Sequence, residues 1–366
     1  MSRTERCIRA SALVMALACV IGEARAARFE FSQTHMGTLF RIVLYAPDAE
    51  TARSASSAAF RRIAELDDIM SDYKPTSELI ELCARAGGPP VAVSEDLFRV
   101  LAAAQDLAER SDGAFDVTVG PVVRLWRRAR RRHELPDSER LAKARDLVGY
   151  QNLRLDPTAR TAQLTQEGMQ LDLGGIGKGY AADAALAVLK RHGIQSALVA
   201  AGGDIAVSSA PPGQPGWRIA IAPLDPHLGA ERGPEIQNPG PLSATSQGAG
   251  SEIENRKSGI ENLLLRDAAV STSGDAAQHV EIAGIRYSHI IDPKTGLALT
   301  GRSSVTVVTR NCTASDGLAT AVSVLGPERG LELIRTTPGA GVLFVKEVPG
   351  IRSWRLNFPP ALRGDL

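Results

Sequence analysis

The chain contains no Cys-x-x-Cys pair and only four cysteines in 366 residues, Cys7, Cys19, Cys83 and Cys312. That argues against a zinc site or a redox dithiol, and the spacing of the later two cysteines does not by itself indicate a disulfide. No apolar stretch reaches the roughly 20 residues that a membrane-spanning helix needs. Neither charge sign dominates, with 42 Lys and Arg against 41 Asp and Glu. A nucleic-acid-binding face normally shows as a basic excess, so this balance argues against nucleic acid as the main partner. Internal repeats are missing too.

What is present begins with a leader-like segment. Arg3, Arg6 and Arg9 precede an apolar run from Ala10 to Gly22, and Ala24-Arg25-Ala26 offers a small-x-small cleavage site. This order reads as a secretory signal peptide over 1–26, leaving an exported or periplasmic protein with a single domain over 27–366. A second reading stays open: Leu17-Ala18-Cys19 is the kind of site where a lipoprotein is cut and acylated, which would anchor the protein to the inner membrane through Cys19. Ala16 before it and Val20 and Ile21 after it favour cleavage after Ala26. Loss of 1–26 removes four Arg and two Glu and leaves a net charge near −1.

Periodicity places the first elements. Residues 40–45 suit a strand, and Asp48 can cap a helix carrying Ala58, Ile63, Leu66 and Ile69. Ser94 can cap a second helix with a stripe of Leu97, Val100, Leu101, Ala104, Leu107 and Ala108, closed by Gly113. A third helix starts near Gly177 and ends at Gly193. Strands are expected over 197–200, 205–208, 217–222, 262–266, 303–309 and 341–345. Without a regular alternation of strand and helix, the pattern points to an α+β fold. Between 225 and 260 the composition turns to Gly, Pro, Ser, Asn and Glu, the signature of a mobile surface insertion.

Three stretches carry the chemistry: Asp172-Leu173-Gly174-Gly175-Ile176-Gly177-Lys178-Gly179-Tyr180, Ser288 to Gly296, and Asp316-Gly317-Leu318-Ala319-Thr320-Ala321. Glycines leading into a helix bring backbone close to an anion, where unpaired N–H groups and the helix dipole stabilise it. A tight strand-to-helix turn would look the same, and the stretch lacks the spacing and the Ser or Thr of a Walker loop. Asp316 and Thr320, four apart, share one helical face, and a carboxylate beside a hydroxyl suits Mg²⁺. Ordinary capping by Asp316 is the plainer alternative. His289, ahead of a turn made by Asp292, Pro293 and Gly296, can relay a proton from an attacking hydroxyl or simply orient that turn. Ser273-Gly274-Asp275 is a further polar turn. The arginine run Arg124, Arg127, Arg128, Arg130, Arg131 and Arg132 reads as a solvated helix face or as a docking face for an acidic partner or membrane headgroups. Taken together, the three stretches suit the handling of a pyrophosphate.

In this order the motifs resemble the ApbE family, the FAD:protein FMN transferases. The resemblance is carried by Met36-Gly37-Thr38, Met70-Ser71-Asp72-Tyr73, Gly113 to Pro121, Asp172 to Tyr180, Ser273-Gly274-Asp275, Ser288 to Gly296 and Asp316 to Ala321. It implies a bilobal, T-fold-related α+β domain with FAD in a cleft, and transfer of FMN from FAD as substrate to a threonine hydroxyl of a target protein through a phosphoester, releasing AMP. It places FAD contacts at Met36, Tyr73, Ala114, Phe115, Asp116, Asp172, Lys178 and Ile290. Mg²⁺ would be held by the Gly175 carbonyl with Asp316 and Thr320, and His289 would be the catalytic base. The acceptor would be a threonine-bearing segment of a redox protein, such as a subunit of a flavin-dependent membrane complex. Two departures stand out: Ala319 where some relatives have a second Asp, and Ala276 where an aromatic is frequent. Two rival functions remain, a Mg²⁺-dependent FAD pyrophosphatase giving FMN and AMP, and a non-catalytic FAD carrier. Intact Asp316 and Thr320 argue against the carrier.

Overall fold

The computed structural model describes residues 26–222, 224, 261–274 and 278–360. The leader-like segment except Ala26, the insertion at 225–260, and Asp275 and Ala276 lie outside the described residues. The chain starts with a hairpin, β1 (Ala27–His35) and β2 (Thr38–Ala46), followed by α1 (Ala49–Met70) and α2 (Glu78–Cys83). Next come β3 (Val91–Ala92), α3 (Glu95–Arg110), α4 (Gly120–Arg132), α5 (Ser138–Arg145), β4 (Leu153–Asp156) and β5 (Thr161–Leu164). Helix α6 (Gly177–Arg191) leads into β6 (Ala197–Ala201), β7 (Asp204–Val207), β8 (Trp217–Ile221), β9 (Glu261–Leu265) and β10 (Ala268–Gly274). The last part comprises β11 (His279–Ile282), β12 (Ile285–Ile291), β13 (Ala298–Thr300), β14 (Ser303–Thr309), α7 (Cys312–Arg335), β15 (Gly341–Glu347) and β16 (Ile351–Leu356).

Eight strands form one sheet in the order β1-β2-β6-β7-β10-β14-β15-β16, antiparallel at every pairing. Strand side chains alternate between faces, and β2 shows it. Phe40, Ile42 and Leu44 enter the large core under α1, α6 and α7, while Val43 enters a second core on the opposite face. That second core is closed by the β8–β9 ribbon through Trp217, Ile219, Leu263 and Leu265. A third, smaller core joins α4 and α5 to β12 and β13, with Trp126 Nε1 donating to the Gly296 carbonyl at 2.8 Å. The mixture of an antiparallel sheet with helices on one face is the α+β class that the sequence pattern indicates.

The helix ends follow local chemistry. Asp48 Oδ1 accepts from Thr51 N at 2.8 Å and Ser94 Oγ from Leu97 N at 3.2 Å, each cap being worth about 1 kcal/mol. Gly113 and Gly193 take φ of 72° and 80° just beyond α3 and α6, the left-handed conformation that ends a helix without steric cost. All seven expected strands are present, as β2, β6 to β9, β14 and β15, with ends shifted by at most two residues. Strands β1, β3 to β5, β10 to β13 and β16 are not indicated by the sequence pattern: β10 reads Ala-Ala-Val-Ser-Thr-Ser-Gly, poor in bulky residues, and is a strand because β7 and β14 flank it. Cys83 and Cys312 are both free thiols. Among the described residues no helix is long and apolar enough to cross a membrane.

Candidate active site

The site forms where helix N-termini and hairpin turns meet at one end of the main sheet. Helix α6 begins at the glycine-rich stretch, and α7 packs directly on it: a Cβ built on Gly179 would fall 2.2 Å from the Cys312 carbonyl oxygen and 2.9 Å from Asp316 Cβ. Only glycine allows that approach. It places the Asp316 carboxylate over the first turn of α6, where Oδ2 accepts from Gly179 N at 3.0 Å and from Lys178 Nζ at 3.4 Å. Asp316 therefore does not cap its own helix. Asn311 does that, accepting from Ala314 N at 2.9 Å, and Asp183 takes the Cys312 and Thr313 N–H groups at 2.8 Å each.

Lys178 lies between two buried carboxylates. Its Nζ is 2.8 Å from Asp204 Oδ2 and 3.4 Å from Asp316 Oδ2, and it also donates to the Gly174 carbonyl at 3.2 Å. Burial opposes the ammonium charge, but Asp204 and Asp316 together overcome it and raise the lysine's pKa. Asp316, 3 % exposed, is pushed up to about 7 by burial and by the like charge of Asp204, against the pull of Lys178. A pocket that holds two carboxylates around one ammonium has electrostatic room for a further cation.

Thr320 lies one turn beyond Asp316 on α7. A Cβ on Gly175 would be 3.1 Å from Thr320 Oγ1 and 3.2 Å from the Phe115 ring, so the Gly175 backbone lies directly against that hydroxyl. Ser273 Oγ, at the end of β10, is 3.4 Å from the same Oγ1. The Gly175 carbonyl oxygen faces α7, 4.0 Å from where a Cβ on Gly317 would stand, so a carboxylate, a hydroxyl and a main-chain carbonyl come from adjoining residues, hard oxygens of the kind Mg²⁺ prefers. Both hydrogen bonds to Asp316 from described residues fall on Oδ2, which leaves Oδ1 for a cation. These residues fit Mg²⁺.

The remaining expected residues come from the β1–β2 turn, the end of α1, the segment after α3, the glycine turn and β12. Met36 and Gly37, with φ of 48° and 70°, form the two-residue turn of the β1–β2 hairpin. A Cβ on Gly202, in the β6–β7 turn, would lie 3.2 Å from Thr38 Oγ1, which sets the two turns side by side, with Asp204 opening β7 two residues on. Ala114, Phe115 and Asp116 are buried after α3, and Asp116 Oδ1 accepts from Thr118 N at 2.8 Å and Thr118 Oγ1 at 2.7 Å. Burial raises the Asp116 pKa against those bonds. Asp172 Oδ1 accepts from Gly174 N at 2.7 Å and its Oδ2 from Arg127 Nη2 at 2.7 Å. Tyr73, 73 % exposed, stands beside that pair.

His289 and Ile290 come from β12, which packs against α7. Ile290 is buried, and the His289 ring is exposed with Nδ1 3.2 Å from the Gln278 carbonyl oxygen. A carbonyl only accepts, so Nδ1 carries the proton and Nε2 holds the lone pair of the neutral ring. Asp292 orders the following turn by accepting from Lys294 N at 2.9 Å and Thr295 Oγ1 at 3.1 Å.

Asp204, Arg127 and Asp72 carry site contacts that sequence reading missed. Asp204 had a signal, a charged residue in Gly202-Gly203-Asp204 at the head of an otherwise apolar strand. Arg127 had none: within a run of arginines, the one that turns inward is chosen by Asp72 and Asp172, which lie far away in sequence.

Comparison with known proteins gives the family. A family profile described as the ApbE family matches residues 36–344. A protein of Treponema pallidum named FAD:protein FMN transferase is 34% identical over 340 residues, which is 88% of this chain and 86% of that protein. The solved structure of the flavin transferase ApbE from Vibrio cholerae superposes with a TM-score of 0.74 at 29% identity, covering 92% of this chain and 100% of that one. The apo form of the Pseudomonas stutzeri flavinyl transferase ApbE gives a TM-score of 0.73 at 28% identity, with 92% and 95% coverage. With the family profile spanning most of its length and the glycine turn, Lys178, Asp316 and Thr320 drawn together as described, this chain belongs to the ApbE family.

Proposed function

We propose that this protein transfers the FMN half of FAD to a threonine hydroxyl of a second, exported protein, forming a phosphoester and releasing AMP. The observation that carries the reading is the convergence of the α6 N-terminus, Lys178 and the Asp316–Thr320 pair on the Gly174–Gly175 backbone. That is an anion site and a hard-cation site in contact. A diphosphate bridged to a metal needs both.

In this reading the diphosphate of FAD lies beside the glycine turn that leads into α6, where the Lys178 ammonium holds its oxygens. Asp204 keeps that ammonium in place and charged. The threonine oxygen attacks the phosphorus on the FMN side, the bond from that phosphorus to the bridging oxygen breaks, and AMP leaves with the bridging oxygen. His289 Nε2 takes the hydroxyl proton. Mg²⁺, held by the Gly175 carbonyl, Asp316 and Thr320, would neutralise charge on the phosphate oxygens as the leaving group departs. Tyr73, exposed beside Asp172, supplies an aromatic face for a ring of the dinucleotide. The leader-like segment supports an exported location, where acceptors would be periplasmic segments of redox proteins.

Incubation of the purified protein with FAD, Mg²⁺ and a threonine-bearing acceptor, followed by mass spectrometry of the acceptor and assay of AMP, tests this. An FMN increment together with AMP supports transfer. AMP without an increment, with acceptor present, replaces the reading by hydrolysis, and neither product removes it.

A further inference from the structure

Arg127 sits in the middle of the arginine run, but it does not share the solvent exposure of Arg124, Arg128, Arg131 and Arg132. Its Nη2 donates to Asp172 Oδ2 at 2.7 Å, its Nη1 pairs with Asp72 Oδ2, and its guanidinium lies 4.5 Å from the centroid of the Tyr73 ring. The side chains of Arg127, Asp72 and Asp172 are only 17%, 16% and 10% exposed. Tyr73, by contrast, is 73 % exposed, with one face on the cation.

A bidentate guanidinium between two carboxylates is a rigid fork, because planar geometry fixes both partners at once. Here the two partners belong to different segments. Asp72 adjoins Tyr73 at the end of α1, and Asp172 opens the glycine turn, its other oxygen taking the Gly174 N–H at 2.7 Å. Arg127 thus couples the exposed aromatic to the turn that carries the Gly175 carbonyl.

We propose that Arg127 is a positioning residue for dinucleotide binding: it clamps Asp72 to Asp172 and backs Tyr73, so that the outer face of the ring is held ready to stack on a planar ring of FAD. The inference rests on the flavin-transfer reading. Without the guanidinium, two largely buried carboxylates would repel across the gap, and the Tyr73 ring would lose the group that fixes its plane. The cost then falls on binding, because the ring must be ordered when FAD arrives. Arg127 itself does not touch the reacting atoms.

Titration of FAD into the full chain with Mg²⁺, read by flavin fluorescence, together with steady-state transfer kinetics, tests the proposal on Arg127→Met, Arg127→Lys, Tyr73→Leu and the two corresponding double variants. Arg127→Met is expected to weaken FAD binding at least tenfold, about 1.4 kcal/mol, to raise KM by a similar factor and to lower kcat less than threefold. Arg127→Lys should recover part of the affinity, and the double variants should bind more tightly than the sum of the single losses, since both changes remove one platform. Parental affinity in Arg127→Met, strictly additive losses, or a fall in kcat with KM unchanged each overturn the proposal. If circular dichroism shows that Arg127→Met does not fold, Arg127→Lys and its double variant with Tyr73→Leu decide by the same additivity comparison. A parent protein that binds no FAD sinks the flavin reading itself, a result distinct from a parent that binds and variants that match it.

Discussion

Replacing Asp316 by Asn is expected to make the metal-free protein more stable while abolishing its activity. The carboxyl is 3 % exposed and pushed up to about 7 by burial and by Asp204, from an ordinary value of 3.8. A raised native pKa means that folding favours the protonated acid. This contribution is fully present below the unfolded value and is lost as pH rises through the native one, so above pH 7 the ionised carboxylate costs the fold about 4 kcal/mol at most, at 1.36 kcal/mol per pKa unit. Asn is neutral at every pH, and its amide oxygen can still accept the Gly179 N–H. In EDTA the advantage of Asp316→Asn should therefore grow by roughly 2 to 3 kcal/mol between pH 5 and pH 8, measured by denaturant melts of both proteins. Added Mg²⁺ should raise the parental Tm at pH 8, more than at pH 6 because a ligand must be deprotonated, and should leave the Tm of the variant unchanged. A variant that is less stable than the parent at pH 8, or whose Tm still responds to Mg²⁺, would refute the assignment of this carboxylate as a strained metal ligand.

Further tests address the neighbouring residues. Gly179→Ala should destabilise the protein by about 3 kcal/mol or more, because its Cβ would meet the Cys312 carbonyl oxygen at 2.2 Å; an unchanged denaturation midpoint contradicts the close approach of α6 and α7. Gly175→Ala, whose Cβ would reach 3.1 Å from Thr320 Oγ1, should raise the Mg²⁺ concentration for half-maximal transfer at least tenfold, about 1.4 kcal/mol, and an unaltered Mg²⁺ curve removes that oxygen from the site. His289→Ala should slow threonine modification by about 10²-fold or more while FAD binding stays intact by fluorescence titration, and full acceptor modification in this variant eliminates the histidine as base.

The legible parts of the chain were those whose signals are local. Asp48 and Ser94 announce helix starts because a cap needs only its next three residues, and the stripe from Leu97 to Ala108 is buried as its spacing indicates. The glycine turn, Lys178 and the Asp316–Thr320 pair were readable for a similar reason: backbone freedom and a four-residue helical spacing are properties of short segments. Strands β4, β5 and β11 to β13 were not readable, because they are three to seven residues long, several with exposed or polar positions, and gain their ladders from partners that the local pattern does not name.

By itself, then, the order of residues determined the helices with strong caps, the α+β class and the motifs that mark the family, since each depends on neighbours along the chain. Tertiary structure decided what those motifs do to one another. It set Asp316 on the N-terminus of α6 rather than on its own helix, brought Asp204 from a distant strand to hold Lys178, and chose Arg127 from six arginines to join Asp72 and Asp172. Charges in a buried site interact through space at a few ångströms, and that distance bears no relation to their separation in sequence.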